Sequence, residues 1–305
     1  MLSPIGALYG FSVQARNRAA RPYCSSARVI CVGNLTAGGS GKTQIAIALG
    51  GMLMARGKTV VFLSRGYGGR LAGPIAVDME RHSAADVGDE PLLLAANAPT
   101  VVARDRALGA KLAESRGAEF IVMDDGHQNF QLAKDLSIVV VDASRGVGNG
   151  KLIPAGPLRE RTADGLARAD AVVLMGAGDP GLPPFGGPIL RARVTPSVPK
   201  LVEGQTVLAF AGIAAPERFF DLLESMGAHL AGKQKFSDHH PYTAADVSGL
   251  KHAAERANAR LVTTEKDFAR LDPSLRQGIT PLAVSVVFDD MTAIASLLDR
   301  LSARP

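Results

Sequence analysis

The sequence predicts an α/β fold: a mostly parallel sheet with helices on both faces, plus a second, smaller α/β domain. Three observations support this. Short runs such as RVICV (28–32) and SIVVVD (137–142) are apolar without alternation, as in strands covered on both faces. These runs alternate with segments of helical spacing, the order of an α/β layered fold. A stretch rich in Pro and Gly, GDPGLPPFGGPILRARVTPSVPK (178–200), interrupts the pattern and reads as a domain boundary. The expected domains are therefore residues 1–190 and residues 191–305.

Each element has its own signal. RVICV ends at Gly33 and reads as a buried strand. A glycine-rich loop follows, then TQIAIALGGMLMARG (43–57), with helical spacing and a glycine stop. KTVVFLSRG (58–66) is the second strand. PTVVARDR (99–106), AEFIVMDDG (118–126), LSIVVVDAS (136–144) and ADAVVLMGA (169–177) are further strands, at intervals that fit intervening helices. Beyond the interruption, TVLAFAGIA (206–214), ARLVTTEKD (259–267) and PLAVSVVF (281–288) read as strands. APERFFDLLESMG (215–227) and MTAIASLLDRLSA (291–303) read as helices.

Composition narrows the function classes. Hydrophobic residues are 47% and charged residues 21%, as in a soluble globular protein. Cys24 and Cys31 are too few for a disulfide framework and point to a reducing compartment. All nine basic residues of the first 77 precede the first acidic residue, Asp78; the remainder has 25 basic against 29 acidic. That asymmetry calls for an anionic partner: nucleotide phosphate, a membrane surface or nucleic acid. Aromatics are only 5% and no platform of interleaved arginines and aromatics appears, so nucleic acid ranks last and none is expected. No protein partner is evident.

No run of 18 apolar residues exists, so no bilayer span is expected. The start places Leu2, Ile5, Leu8, Tyr9 and Phe11 before Arg16, Arg18 and Arg21. Such a helix suits an anionic bilayer surface or the protein's own core equally well.

The loop GNLTAGGSGKT (33–43) lies between a buried strand and a helix, the context a phosphate site requires. Backbone N–H groups converge there, and the helix N-terminus adds partial positive charge. Gly38, Gly39, Ser40 and Gly41 would cradle phosphates, Lys42 would reach the terminal ones, and the Thr43 hydroxyl would bind Mg²⁺. Thr36 stands where a glycine is usual. AEFIVMDDG ends in Asp124 and Asp125, which would share the same crevice, one of the two holding Mg²⁺. The fold expected is thus a P-loop kinase-like mostly parallel sheet, binding ATP. A guanine-reading element is absent: TTEKD (263–267) has the wrong order.

Taken together and in order, GNLTAGGSGKT, SRGYGG (64–69), VGDEP (87–91), ARDR (103–106), MDDGHQN (123–129), NGKLIPAGPLRE (149–160), FSDHHPY (236–242) and TTEKD resemble the tetraacyldisaccharide 4′-kinase family of lipid A synthesis. The resemblance covers nearly the whole chain. The family's loop also carries Thr at the position of Thr36.

The resemblance implies phosphorylation by ATP of the 4′-hydroxyl of a lipid A disaccharide 1-phosphate. It also implies a peripheral place on the anionic cytoplasmic face of the inner membrane, which favours the membrane reading of the N-terminus. It casts Asp89 as the catalytic carboxylate at the acceptor hydroxyl and His239 as its partner. Arg159 would stabilise the transferring phosphoryl group, and Glu160 would assist Mg²⁺. Glu90, Arg106, Arg65 and Tyr67 match further polar positions. Without the resemblance, Asp89 reads as a helix cap. Two positions depart from the family: Asn129, where many relatives have His, and Arg161, where they tend to have Pro. A phosphate-loop ATPase loading a metal or partner, and a kinase of soluble small molecules, are the competing classes.

Overall fold

The computed structural model describes residues 3–302. Helix α1 (Ser3–Ala19) precedes strand β1 (Arg28–Gly33), helix α2 (Lys42–Met54), β2 (Val60–Ser64) and β3 (Ile75–Ala76). Then come α3 (Ala84–Val87), α4 (Asp89–Ala95), β4 (Thr100–Val102), α5 (Arg106–Ser115), β5 (Phe120–Asp124) and β6 (Leu136–Asp142). Next are α6 (Thr162–Leu166), β7 (Ala171–Met175), β8 (Ile189–Pro196), β9 (Thr206–Ala211), α7 (Pro216–Ser225) and β10 (His229–Lys235). The chain continues through α8 (Ala244–Arg256), β11 (Arg260–Thr264), α9 (Glu265–Arg270), β12 (Ile279–Leu282) and β13 (Val284–Phe288) to α10 (Met291–Ser302).

Nine strands form one sheet in the order β13-β8-β7-β6-β1-β5-β2-β4-β3, parallel except at its two edges. Alternation along β1 explains its unbroken apolar run. Ile30 and Val32 pack toward α2 and α10 with Ile45, Leu49, Leu53 and Leu298. Val29 and Cys31 pack on the other face with Ala110 and Ala113 of α5. Every side chain from Val29 to Val32 therefore has an apolar environment. The connection after β1 leads toward β2, whereas β6 lies on its other side. A crevice consequently opens at the carboxyl end of β1, where such sheets bind ligands.

A second, parallel sheet, β10-β9-β11-β12, spans residues 206–282. The expected break at 190/191 falls inside β8, and β13 and α10 return to the large sheet. The Pro and Gly residues at 178–188 form the loop between β7 and β8 and do not separate two domains. PLAVSVVF is not one strand: Ala283 separates β12 in the small sheet from β13 in the large one. HLAGKQK forms the edge strand β10, and its largely exposed side chains gave no apolar signal.

Helix α1 buries Gly6, Gly10 and Val13, and both glycines lie against Leu152. Phe11 on the same helix is 68% exposed. Of the N-terminal side chains named above, Leu2, Ile5, Leu8, Tyr9 and Arg16 lie outside the described residues.

Two adjacent glycines of α2 give opposite expectations. A Cβ on Gly50 would sit 2.6 Å from the buried Phe62 ring, whereas one on Gly51 meets nothing within 4 Å. Gly51→Ala should stabilise by about 0.5–1 kcal/mol through helix propensity. Gly50→Ala has the same gain but should be net destabilising, because overpacking costs about 1–3 kcal/mol. Urea unfolding of both variants checks the signs.

Candidate active site

The loop after β1 is built as a phosphate cradle. Gly38 and Gly41 adopt left-handed backbone angles, φ 102° and 85°, and α2 begins at Lys42. Gly33 is required for a different reason: a Cβ there would lie 2.5 Å from that of buried His127. Thr36 is extended and forms an antiparallel bridge with Leu158. The Ala37 N–H donates to Pro157 O at 2.8 Å, and Arg159 N–H donates to Leu35 O at 2.8 Å. Thr36 has no need of glycine's freedom, and its backbone stitches the loop to residues 157–159. It does not line the cleft, whose loop residues run from Ala37 to Gln44.

That cleft, about 890 Å³, lies between the two sheets. Its polar floor includes Lys42, Thr43, Asp125 and Arg159. Glu90, Lys266 and His239 stand opposite, with Met175, Val194, Ile213 and Phe219 forming an apolar wall. Arg218 of α7 crosses to Asp142 at the end of β6, 2.8 Å away, and ties the two sheets together.

The two carboxylates after β5 have different surroundings. Asp124 is 1% exposed; one oxygen accepts from Thr43 Oγ1 at 2.9 Å, and the other is buried without a partner. Burial, with the Glu90 charge nearby, pushes its carboxyl up to about 7, against the pull of Lys42. Asp125, at φ 51°, accepts from Arg159 Nη1 at 2.8 and 3.0 Å and lies 3.7 Å from Lys42 Nζ. Burial raises it too, but Lys42 and Arg159 outweigh burial and hold it below the usual range. Arg106 is buried near this pair. Burial and Arg65 push its guanidinium down to about 10, against Asp125 and Asp124.

Asp89 and His239 meet although 150 residues apart: His239 Nδ1 lies 3.0 Å from Asp89 Oδ2. The same oxygen accepts from Arg270 Nε at 2.8 Å and lies 3.7 Å from Lys266 Nζ. Asp89 Oδ1 accepts from the Glu90 N–H at 3.0 Å. Burial raises its carboxyl, but Lys266, Arg270 and His239 together draw it below the ordinary value. Asp89 is not a helix cap; Gly88 holds that place. Tyr67 sets its ring edge-on to His239 at 5.8 Å.

Four further expected site residues, Glu160, Asn129, Arg65 and Arg106, are placed elsewhere. Glu160 is buried and accepts from Gln128 Nε2 at 2.8 Å and from Arg168 Nη2 at 2.5 Å. Because Gln128 also donates to Asn34 O, Glu160 trusses the phosphate loop and does not line the cleft. Asn129 closes a local turn with Gln131, accepting from its N–H and donating to its Oε1. Arg65 is exposed and, like Arg106, absent from the cleft lining.

Sequence reasoning missed Lys266 and Arg270. The signal was in TTEKD: Thr264 caps α9, so residues 266 and 270, four apart, share one face of that helix and meet Asp89. Asp267 supports them. Fully buried, it accepts from Gly212 N–H, Tyr242 O–H, Arg270 Nη1 and Thr264 O–H.

Known proteins are similar to this chain along nearly its whole length. The profile of the tetraacyldisaccharide-1-P 4′-kinase family matches residues 1–302. The tetraacyldisaccharide 4′-kinase of Nitrobacter winogradskyi is 47% identical over 98% of this chain and 92% of its own length. That of Rhodospirillum rubrum is 49% identical over 99% and 93%. The crystal structure of the "apo" form of LpxK from Aquifex aeolicus in complex with ATP superposes with a TM-score of 0.80, at 27% identity and 98% coverage of both chains. The chain belongs to the tetraacyldisaccharide-1-P 4′-kinase family.

Proposed function

We infer that this protein is the ATP-dependent kinase that phosphorylates the 4′-hydroxyl of a tetraacyldisaccharide 1-phosphate in lipid A, and hence lipopolysaccharide, synthesis. One observation carries this reading beyond similarity. A phosphate cradle and His239, which is hydrogen-bonded to buried Asp89, come from distant parts of the chain and border a single cleft. The loop amides and Lys42 hold the triphosphate, and the apolar wall gives the purine a face. Arg159, fixed by Asp125, neutralises charge on the transferring phosphoryl group. The Asp89–His239 pair receives the sugar hydroxyl.

The donor set fits Mg²⁺: a hydroxyl, and a buried carboxylate with one oxygen unsatisfied, are hard oxygen ligands. Thr43 and Asp124 would hold the ion, which when bound neutralises charge on the β- and γ-phosphates. Asp125 is committed to Arg159 and Lys42 instead.

The two sheets act as two lobes, and the protein lies on the anionic cytoplasmic surface of the inner membrane through α1. Exposed Phe11 and the basic N-terminal region support this placement. Among the described residues no helix is long and apolar enough to cross a membrane.

Incubating the protein with γ-labelled ATP and the disaccharide 1-phosphate lipid tests the whole reading. Label is expected on the lipid. Deleting residues 3–19 should release the protein from anionic vesicles. Hydrolysis of ATP without labelled lipid would overturn the kinase assignment, and undiminished vesicle binding would overturn the membrane role of α1.

A further inference from the structure

We propose that Asn34 is a positioning residue for ATP: its buried side chain clasps the start of the phosphate loop to its end, so that the loop amides converge before the triphosphate arrives. This rests on the kinase reading above.

The two halves of the loop are held differently. Residues 34–37 are stitched to neighbouring segments. Asn34 O accepts from Gln128 Nε2 at 2.8 Å, and Leu35 O accepts from the Arg159 N–H at 2.8 Å. Thr36 bridges to Leu158, and the Ala37 N–H donates to Pro157 O at 2.8 Å. Among the described residues, no backbone bond of this kind reaches Gly38, Gly39 or Ser40. Two of these three are glycines, the residue with the most conformational freedom to lose. The Asn34 side chain supplies the tether. Its Nδ2 donates to Ser40 Oγ at 3.1 Å and lies 3.5 Å from Gly38 O. Ser40 directly precedes Gly41 and the start of α2, so this bond fixes the chord of the loop.

Asn34 acts through Ser40 and not on the nucleotide. It is fully buried and does not line the cleft, whereas Ser40 does. Its own support is firm. The Gln128 amide that holds Asn34 O also donates to Glu160 Oε1 at 2.8 Å, and Glu160 is paired with Arg168.

Stability alone does not account for this asparagine. Its Oδ1 is buried without a partner, which costs folding free energy. A small apolar side chain would serve the fold at least as well. What the amide adds is the bond to Ser40. Ordering a glycine-rich segment costs conformational entropy. With the clasp in place that entropy is lost on folding, and the nucleotide meets a site already shaped.

Hydrogen exchange and calorimetric titration with Mg-ATP test the assignment. In nucleotide-free Asn34→Ala, the amides of residues 38–41 should exchange faster than in wild type. The Kd for ATP should rise by about tenfold or more, the scale of fixing one loop residue. In the lipid-labelling assay, kcat at saturating ATP should fall less than affinity does. The urea midpoint should stay near that of wild type; a residue needed only for the fold would show the reverse, a lower midpoint with Kd intact. Adding Asn34→Ala to Ser40→Ala should change Kd little beyond Ser40→Ala alone, because either change opens the clasp. Ser40→Ala carries the test by itself if Asn34→Ala does not fold. Wild-type exchange and wild-type Kd in whichever variant folds, or losses that multiply in the double variant, would overturn the proposal. A wild-type protein that binds no ATP would instead remove the kinase reading itself.

Discussion

The Asp124→Asn variant is expected to lose phosphoryl transfer while its nucleotide-free form becomes more stable than wild type at neutral pH. Asp124 has one oxygen on Thr43 and one buried with no partner, so its charge is poorly supported until a cation arrives. Its carboxyl is pushed from the ordinary 3.8 up to about 7 by burial and then by Glu90. A raised carboxylate value means the folded state binds the proton more tightly than the unfolded chain. The penalty is absent below about pH 4, where both states are protonated, and complete above about pH 7. Asparagine removes it. The stability advantage of the variant should therefore grow between those limits to the order of a few kcal/mol, one pKa unit being worth about 1.4 kcal/mol. Transfer should fall by at least about a hundredfold, the usual scale for deleting one preorganised electrostatic contact. Unfolding at pH 5 and pH 8 without nucleotide, alongside lipid labelling, measures both. A variant less stable than wild type at pH 8 would show that the Asp124 charge is already compensated.

Much of this site was legible because its parts are local. RVICV, GGSGKT and FIVMDD are each a strand, loop or strand end whose chemistry is carried by consecutive residues. The α/β layering followed from apolar runs, and the strands covered on both faces announced themselves. What stayed hidden depends on distance along the chain. Nothing local shows that Asp89 is buried against His239, Lys266 and Arg270; that follows only when residues 89, 239, 266 and 270 come together. Glu160 beside Arg159 invited a metal role by adjacency. In the fold, neighbouring residues of this segment face apart, so Arg159 enters the cleft and Glu160 turns to Gln128 and Arg168. The return of β13 and α10 to the large sheet was invisible for the same reason. A largely apolar run such as PLAVSVVF has no mark showing where it changes partner, and Ala283 is an ordinary residue in an ordinary place.

The second large effect is expected far from any phosphate, at Asp267. Replacing it with Ala should cost about 3–5 kcal/mol, the range for removing one member of a buried ion pair. Asp267 is fully buried and neutralises Arg270, whose side chain is only 5% exposed. It also receives the Tyr242 hydroxyl at 2.7 Å and the Gly212 N–H at 2.9 Å. Burial and the Asp267 charge drive the Tyr242 phenol far above its ordinary value, so that hydroxyl stays a donor and would be stranded. The loss should reach the chemistry, since Arg270 Nε is what grips Asp89 and Arg270 Nη1 holds the Gly212 carbonyl that also anchors His239. At temperatures where the variant remains folded, kcat should fall more than ATP affinity, because the phosphate loop belongs to the other sheet. Asp267→Asn keeps one acceptor oxygen and should fall between wild type and Ala on both measures. Urea unfolding and initial rates for the three proteins give the comparison. If Asp267→Ala unfolds within about 1 kcal/mol of wild type, the Arg270 charge must be satisfied by Asp89 alone, and Asp267 would no longer be what holds Arg270 against Asp89.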